Sequence, residues 1–301
     1  MKKHLIALAV LAASGASMAQ SSVQLYGIVD AFVGQTKDTI NSDAYKAGEK
    51  GLAPKAAERQ TVVGSSGLKS SRWGIKGSED LGGGLKAGFQ LEQGFNVDDG
   101  SAKTVKNADK STYTGFDRAA NVSLSGDFGS VALGRMATPY DSLRASTNPI
   151  GDTNMSPVNS SAGVYKTAGL DYTDKVSNAV AYSSPVFNGF SGSAAVSFGE
   201  NKTADVDASQ HTSLQVRYAN GPLLVGYGYQ KEESNNAAYN ADYSLKTAAT
   251  GIDSTTFNLL AASYDFGVAK LVGNYQIAKS EKHGSGKVAD EKGYTFGIQA
   301  P

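Results

Sequence analysis

The chain has 301 residues, and its 28 lysines and arginines balance 28 aspartates and glutamates, which excludes the large basic surface typical of nucleic-acid binding. It contains no cysteine, so disulfides and thiolate chemistry are excluded as well. Only 40% of the residues are hydrophobic, which is little apolar material for filling a soluble core of this length.

The N-terminus predicts a secretory signal peptide. Met1 to His4 form a basic start, residues 5–13 are apolar, and small residues surround a cleavage point after Ala19. An N-terminal membrane anchor is the alternative, but the apolar run is far shorter than the ~20 residues that a spanning helix needs. We therefore expect residues 1–19 to be removed and residues 20–301 to form one domain without an internal linker.

The first part of the mature chain alternates apolar and polar residues, which is the period of a β-strand with two unlike faces. Val23, Leu25 and Val29 share one face of the first stretch, and Gln24 and Tyr26 lie on the other. The sequence predicts strands over 23–33, 70–78, 85–95, 116–125 and 130–136. Tight turns at 80–84 and 126–129 alternate with long polar loops.

The second part continues the same arrangement after a long segment, residues 137–167, in which we expect a short strand near 138–143. Further strands are predicted over 170–183, 190–199, 210–219, 223–230, 255–265, 268–279 and 293–299. Short turns again alternate with long loops, so the two ends of the sheet differ.

This pattern predicts an all-β fold, a transmembrane antiparallel β-barrel with apolar residues outside and polar residues around a lumen. Outer-membrane barrels combine short turns at one end with long loops at the other. A sheet in hydrocarbon must satisfy its backbone hydrogen bonds internally and therefore closes on itself. A secreted β-sandwich or β-helix is the soluble alternative, but no fixed-length repeat supports a solenoid.

Four segments carry a resemblance to a known family. They are residues 23–31, residues 71–87, residues 124–135 and residues 183–190, and the second, with Arg72-Trp73-Gly74-Ile75-Lys76-Gly77-Ser78-Glu79-Asp80-Leu81-Gly82, is the most specific. Together they closely resemble the Gram-negative general porins, especially the β-proteobacterial and neisserial branch, from about Ser22 to the end.

The resemblance implies a homotrimer of sixteen-stranded barrels in the outer membrane, in contact with lipid and lipopolysaccharide. Each barrel would pass ions and small hydrophilic solutes by diffusion, and the third long loop, about residues 137–167, would fold into the lumen and narrow it. Family members end in further strands and a C-terminal aromatic residue, whereas this sequence stops at Pro301 after about thirteen strands. We therefore expect a truncated or fragmentary porin.

Alternation assigns basic residues to the lumen. Arg72 and Lys76 oppose the apolar Trp73 and Ile75, and Lys175 opposes the apolar face of its own strand. These three positions therefore predict a basic inner wall and a slight preference for anions.

Arg135 matches the constriction arginine of the family, but its parity with Val131 and Leu133 would place it in lipid. A bulge or a switch at the strand end would resolve this conflict.

Acidic partners are expected on the inserted loop. Asp141 and Asp152 are the candidates, and Asp30 is expected to line the lumen without a special role. The simpler interpretation of each charged residue is a solvated lumen or loop charge.

Enzymatic interpretations have little support. The three histidines are scattered, the run Gly82-Gly83-Gly84 lacks the Lys-Ser/Thr that follows in a phosphate-binding loop, and Gly64 to Gly67 lack the spacing of a nucleophile elbow. No cofactor, catalytic residue or metal site is expected. A non-conducting barrel acting as an adhesin or anchor remains the alternative function.

Overall fold

The computed structural model describes residues 22–37, 59–106, 112–149, 172–235, 238–239, 245–247 and 250–300. The expected signal peptide and Asp152 lie outside these residues. The elements are, in chain order, β1 (Ser22–Ile28), β2 (Ala31–Lys37), β3 (Arg59–Ser65), β4 (Arg72–Gly82), β5 (Leu85–Gly94), β6 (Thr104–Lys106), β7 (Thr112–Thr114), β8 (Ala119–Gly126), β9 (Gly129–Ala137), α1 (Pro139–Ser146), β10 (Lys175–Ser183), β11 (Phe190–Phe198), β12 (Gln210–Asn220), β13 (Leu223–Asn235), β14 (Ala238–Tyr239), β15 (Leu245–Thr247), β16 (Ile252–Asp265), β17 (Lys270–Lys282) and β18 (Gly286–Gln299).

Twelve strands form one antiparallel sheet in the order β1-β4-β5-β8-β9-β10-β11-β12-β13-β16-β17-β18. Within the described residues the sheet is open, with β1 and β18 at its edges. The remaining strands pair as β2-β3, β6-β7 and β14-β15 within the long connections. Each of these pairs extends a connection at one end of the sheet, whereas tight turns close the other end. The predicted difference between the two ends is confirmed.

The turn between β4 and β5 shows why glycine is required at the tight end. Gly82, Gly83 and Gly84 have φ values of 83°, 61° and 82°. Residues with a β-carbon adopt this left-handed region only at an energetic penalty, so three successive glycines permit the chain to reverse there.

The two faces of the sheet differ as the alternation predicts. Val23 and Leu25 are 68% and 72% exposed on the outer face. In the β1–β4 register Gln24 lies opposite Lys76 on the inner face. Large apolar side chains stay uncovered on the outer face of neighbouring strands, as hydrocarbon contact requires; examples are Val122, Leu133, Val216 and Leu260. No helix among the described residues is long and apolar enough to cross a membrane.

The first predicted strand is interrupted. Residues 23–33 were expected to be continuous, but β1 ends at Ile28 and β2 begins at Ala31. The segment that pairs with this one is interrupted at the matching place, because β3, the partner of β2, ends at Ser65 and β4, the partner of β1, begins at Arg72. Hydrogen bonds between these two breaks, described below with Asp30, explain the interruption.

The strand expected near residues 138–143 is wrong, because helix α1 occupies this segment. Thr138 caps the helix by accepting the Asp141 N–H at 3.2 Å, and Pro139 stands at the first helical position, where its missing N–H is harmless. Tyr140 and Leu143, three residues apart, are both fully buried on one helix face.

The helix packs against the inner face of the sheet, and this contact creates the core of the described structure. Tyr140 and Leu143 join Phe257, Leu259 and Ala261 in one buried cluster. Gly226 on β13 leaves room for the helix, because a β-carbon there would lie 2.7 Å from Leu143 Cδ1. The inner wall is therefore apolar where the helix covers it and polar elsewhere.

Candidate pore constriction

A carboxylate clasped by two arginines lies on the inner face of β4, β5 and the segment before β8. Glu92 is 9% exposed, and its Oε1 accepts the Arg118 Nε–H at 2.5 Å. Its Oε2 lies 3.8 Å from Arg72 Nε. The two arginines carry one more positive charge than Glu92 neutralises, so this cluster remains cationic.

Tyr26 extends the cluster toward Lys76. The Tyr26 hydroxyl donates to Glu92 Oε2 at 2.9 Å and accepts from Gln90 Nε2 at 2.8 Å. Lys76 Nζ lies 5.3 Å from the centre of the Tyr26 ring, within the range of a cation–π contact. These contacts fix the side chains in a row along the inner wall.

Arg135 lies where the strand pairing is irregular. Gly134 has a φ of 127°, and the β9–β10 register shifts between Val176 and Ala179. The Arg135 Nε–H donates to the Asp117 carbonyl at 2.7 Å, and its Nη1 donates to Ser177 Oγ at 2.9 Å. The extra residue of this irregularity lies on β10, between the partners of Gly134 and Met136, while β9 pairs regularly with β8 up to Arg135. The Arg135 side chain lies beside the bulge and is held by these protein partners.

The inserted loop carries its own charge pair. Asp141 Oδ1 accepts hydrogen bonds from Arg144 Nη2 at 3.0 Å and from the Tyr172 hydroxyl at 2.7 Å. Burial first, and the Asp141 charge second, raise the pKa of Tyr172 well above 10, which keeps its hydroxyl a hydrogen-bond donor. Asp141 is therefore compensated within the loop, while Asp152 is outside the described residues.

The loop is fastened where it returns to the sheet. Glu232 on β13 accepts the Thr173 N–H at 2.6 Å and the Thr173 hydroxyl at 2.9 Å. Gln230 is fully buried and donates to both the Thr173 carbonyl and Glu232. Next along the chain, Lys175 forms an ion pair with Asp174.

The other side of the loop follows the wall toward β18. The Tyr140 N–H donates to Ser213 Oγ at 3.0 Å, and its hydroxyl donates to Gln276 Oε1 at 2.8 Å. Gln299 Nε2 donates to the Pro149 carbonyl at 2.8 Å. Contacts on both sides of α1 therefore hold the loop against the inner face of the sheet.

Asp30, which was expected to line the lumen without a special role, has a specific structural role. Its carboxylate accepts the backbone N–H groups of Gly67, Leu68 and Lys69 at 2.8–3.0 Å. These bonds, that from Lys69 first, lower the pKa of Asp30. Asp30 thereby joins the two chain breaks that separate β1 from β2 and β3 from β4.

The structure brings Arg72 and Lys76 onto one inner surface, hereafter the cationic wall, together with Arg118 and Arg135. Described residues 138–149 and 172–174 form the inserted segment, which contains Asp141.

Sequence reasoning missed Glu92 and Arg118. Glu92 shares even parity with Lys86 and Gln90 on the polar face of its strand, and this parity was the signal that could have placed it in the lumen. Arg118 lies within the strand predicted over 116–125, where its even parity with Val122 and Leu124 would place it on the outer face. Because β8 begins only at Ala119, this parity does not apply to it.

The comparisons with known proteins agree with one another. The profile of the Gram-negative porin family matches residues 6–301. Outer membrane porin protein 32 of Delftia acidovorans is 38% identical over 304 residues, spanning 100% of this chain and 76% of that protein. Major outer membrane protein P.IA of Neisseria meningitidis serogroup B is 27% identical over 343 residues, spanning 100% of this chain and 82% of that protein.

A solved structure is similar in both sequence and fold. The anion-selective porin from Comamonas acidovorans superposes with a TM-score of 0.69 at 31% identity, covering 94% of this chain and 75% of that one. OmpT of Vibrio cholerae, as a loop-deletion mutant, superposes with a TM-score of 0.62 at 15% identity, which supports the fold alone.

Proposed function

The chain belongs to the Gram-negative porin family, and we propose that its cationic wall and inserted segment together form the constriction of the channel. As an outer-membrane porin it passes ions and small hydrophilic solutes by passive diffusion. The proposal concerns which residues narrow the passage and which ions they favour. Its main support is the position of α1 on the inner face of the sheet, where it packs against β12, β13 and β16 and lies away from β4, β5 and β8.

The charge balance of the two surfaces favours anions. Arg72, Arg118 and Lys76 stand against one carboxylate, Glu92, on the wall. On the inserted segment Asp141 is paired with Arg144 and adds no net charge. Field lines in a narrow wet passage concentrate between such walls, so a positive excess raises the local concentration of anions. Anion selectivity in the Comamonas porin supports the same preference here.

Reversal potentials across a salt gradient test this preference in planar bilayers. We expect a slight preference for chloride over potassium in the wild-type channel. Arg72→Glu changes two charge units. Since a unit charge ~8 Å away in water shifts the energies of an anion and a cation by ~0.5 kcal/mol each in opposite directions, their difference changes by ~2 kcal/mol, and the anion-to-cation permeability ratio should fall by roughly thirtyfold.

Lys202→Gln is the control, because Lys202 is an exposed residue between β11 and β12 that pairs with Asp207. It should leave the reversal potential unchanged. A cation preference that Arg72→Glu does not alter would contradict the proposal.

Processing and assembly complete the proposal. Cleavage after Ala19 would leave Gln20 as the first residue, which N-terminal sequencing of the outer-membrane form checks.

Family membership supports a homotrimer, and the mass of the detergent-solubilised protein checks it. An uncleaved N-terminus or a monomeric mass would contradict the respective proposal.

A further inference from the structure

Below the cationic cluster, the inner wall contains a polar cup. A cavity of about 430 Å³ opens between β1, β4, β5 and β8. Gly88 forms its floor and lies between Ser78 and Ser123 in the two strand registers. Longer side chains, among them Gln24 and Gln90, stand around this floor. The alternation of small and long residues on the inner face thus produces a recess in the wall.

Two lysines stand at opposite ends of the cup. Lys76 is level with Gln90, and Lys86 lies four residues from Gln90 on the same strand, about 14 Å at 3.4 Å per residue. Neither lysine has a carboxylate within 4.0 Å among the described residues. Both have flexible stems, so their ammonium groups can converge on one ligand.

No carboxylate lines the cavity, although Asp80 and Glu92 lie near it. Asp80 lies opposite Lys86 in the register, but its Oδ1 accepts the Gly82 N–H at 2.9 Å in the turn. Glu92, two residues beyond Gln90, is held by Arg118 and Arg72. The cup therefore presents two positive charges without a competing negative charge in its lining.

Neutral hydrogen-bonding groups make up most of the remaining lining. Hydroxyl and amide groups come from all four strands, including Ser22, Ser125 and Asn121. An inorganic anion would need only the lysines. A ligand with several hydroxyl groups in addition to a negative charge would use the hydroxyls and amides as well, since each can donate and accept.

We propose that this cup is a binding station for a hydroxylated organic anion of the size of a monosaccharide phosphate. It lies on the side of the constriction toward the tight turns. The phosphate contacts Lys86 and Lys76, and the sugar hydroxyls replace water on the serine and amide groups of the wall. The station rests on the channel function of the chain. It shares Lys76 with the cationic wall, whereas Lys86 and Gly88 belong to the station alone.

Single-channel recordings test the station with glucose 6-phosphate as the probe. We expect brief partial blockades of the open current whose frequency rises with concentration. Glucose alone and inorganic phosphate alone, at the same concentration, should block about tenfold less. Glucose lacks the charge-assisted contacts with the lysines, and phosphate lacks the hydroxyl contacts with the serine and amide groups. Equal blockade by phosphate and glucose 6-phosphate would overturn the proposal, as would an absence of blockade in the wild-type channel.

Variants distinguish a specific binding site from a general attraction of anions to the positively charged wall. Lys86→Gln should weaken blockade about tenfold, the effect of one lost charge-assisted hydrogen bond, and Lys86→Arg should retain most of it. Gly88→Val fills the floor without changing charge. Gly88 has an ordinary negative φ, and its β-carbon would meet the movable Ser123 Oγ at 2.8 Å and make an ordinary contact with the Gly77 carbonyl at 3.5 Å. This variant should abolish blockade and keep the wild-type reversal potential in chloride.

Blockade that survives in Gly88→Val would overturn the station and leave only a general positive field. If Gly88→Val yields no open channel, Ser78→Leu fills the same floor from the neighbouring strand and decides the question by the same readout. A cation-preferring wild-type channel with intact glucose 6-phosphate blockade would refute the chloride preference and leave the station standing.

Discussion

At the scale of single residues, Glu92 is the carboxylate at the centre of the cationic cluster. It is buried against Arg118 and Arg72 and bonded to the Tyr26 hydroxyl. Its parity could be read from the sequence, because alternate residues of a strand share a face. Its partners could not, since they come from β1, β4 and the segment before β8, and only the strand registers bring them together.

Glu92→Gln should raise the anion-to-cation permeability ratio. Removing one negative charge ~8 Å from the ion path shifts the energies of an anion and a cation by ~0.5 kcal/mol each in opposite directions in water, which changes their permeability ratio about fivefold. Reversal potentials measure it. Glu79→Gln is the charge-matched control, because Glu79 has the parity of Trp73 and Ile75 and therefore lies on the outer face of the same strand. An unchanged ratio in Glu92→Gln would show that this carboxylate does not influence the permeating ions.

Asp30 acts on stability through the hydrogen bonds it accepts. Because folding lowers the pKa of Asp30 below its ordinary value of 3.8, its stabilising contribution is fully present above that pH and is lost as pH falls through the folded-state pKa. Asp30→Ala should therefore lower the thermal transition of the detergent-solubilised protein at pH 7. The difference from wild type should shrink in strong acid. Equal transitions at pH 7 would contradict this role.

At the scale of elements, α1 is the feature that alternation could not predict. Over a few residues an apolar pattern fits a strand or a helix, and Pro139 and the Thr138 cap were the local signals for a helix. The decisive factor is tertiary: Gly226 and Gly228 leave a trough, and Leu259 and Phe257 give it an apolar floor. A purely polar lumen would not have apolar residues facing inward on β16. They face inward here because helix α1 covers them.

Leu143→Ala should loosen this docking. The side chain is fully buried, and truncations of this kind typically weaken packing by about 2–5 kcal/mol. The barrel strands keep their hydrogen bonds, so channels should still insert, but the open current should become noisier and its mean conductance should change. Ser142→Ala, on the exposed side of the same helix, is the control. Identical current noise in both variants would contradict a wall-docked helix.

At the scale of the whole molecule, one physical rule explains most of the fold. Side chains alternate across a strand, so lipid on one side and water on the other impose a two-residue period on each spanning strand. That rule predicted the main strands, the tight end and the faces. It failed where the strand itself is irregular, at the break beside Asp30 and at the bulge beside Arg135, because both depend on distant segments of the chain.

Neighbouring residues on β8 test most directly whether apolar side chains face lipid and polar ones face a water column. The chain lacks cysteine, so Ser123→Cys and Val122→Cys each introduce a single thiol. In bilayers, a charged, membrane-impermeant thiol reagent should react with Ser123→Cys and change its conductance, while Val122→Cys stays unmodified. Rapid modification of Val122→Cys together with an inert Ser123→Cys would contradict the assignment of the two faces.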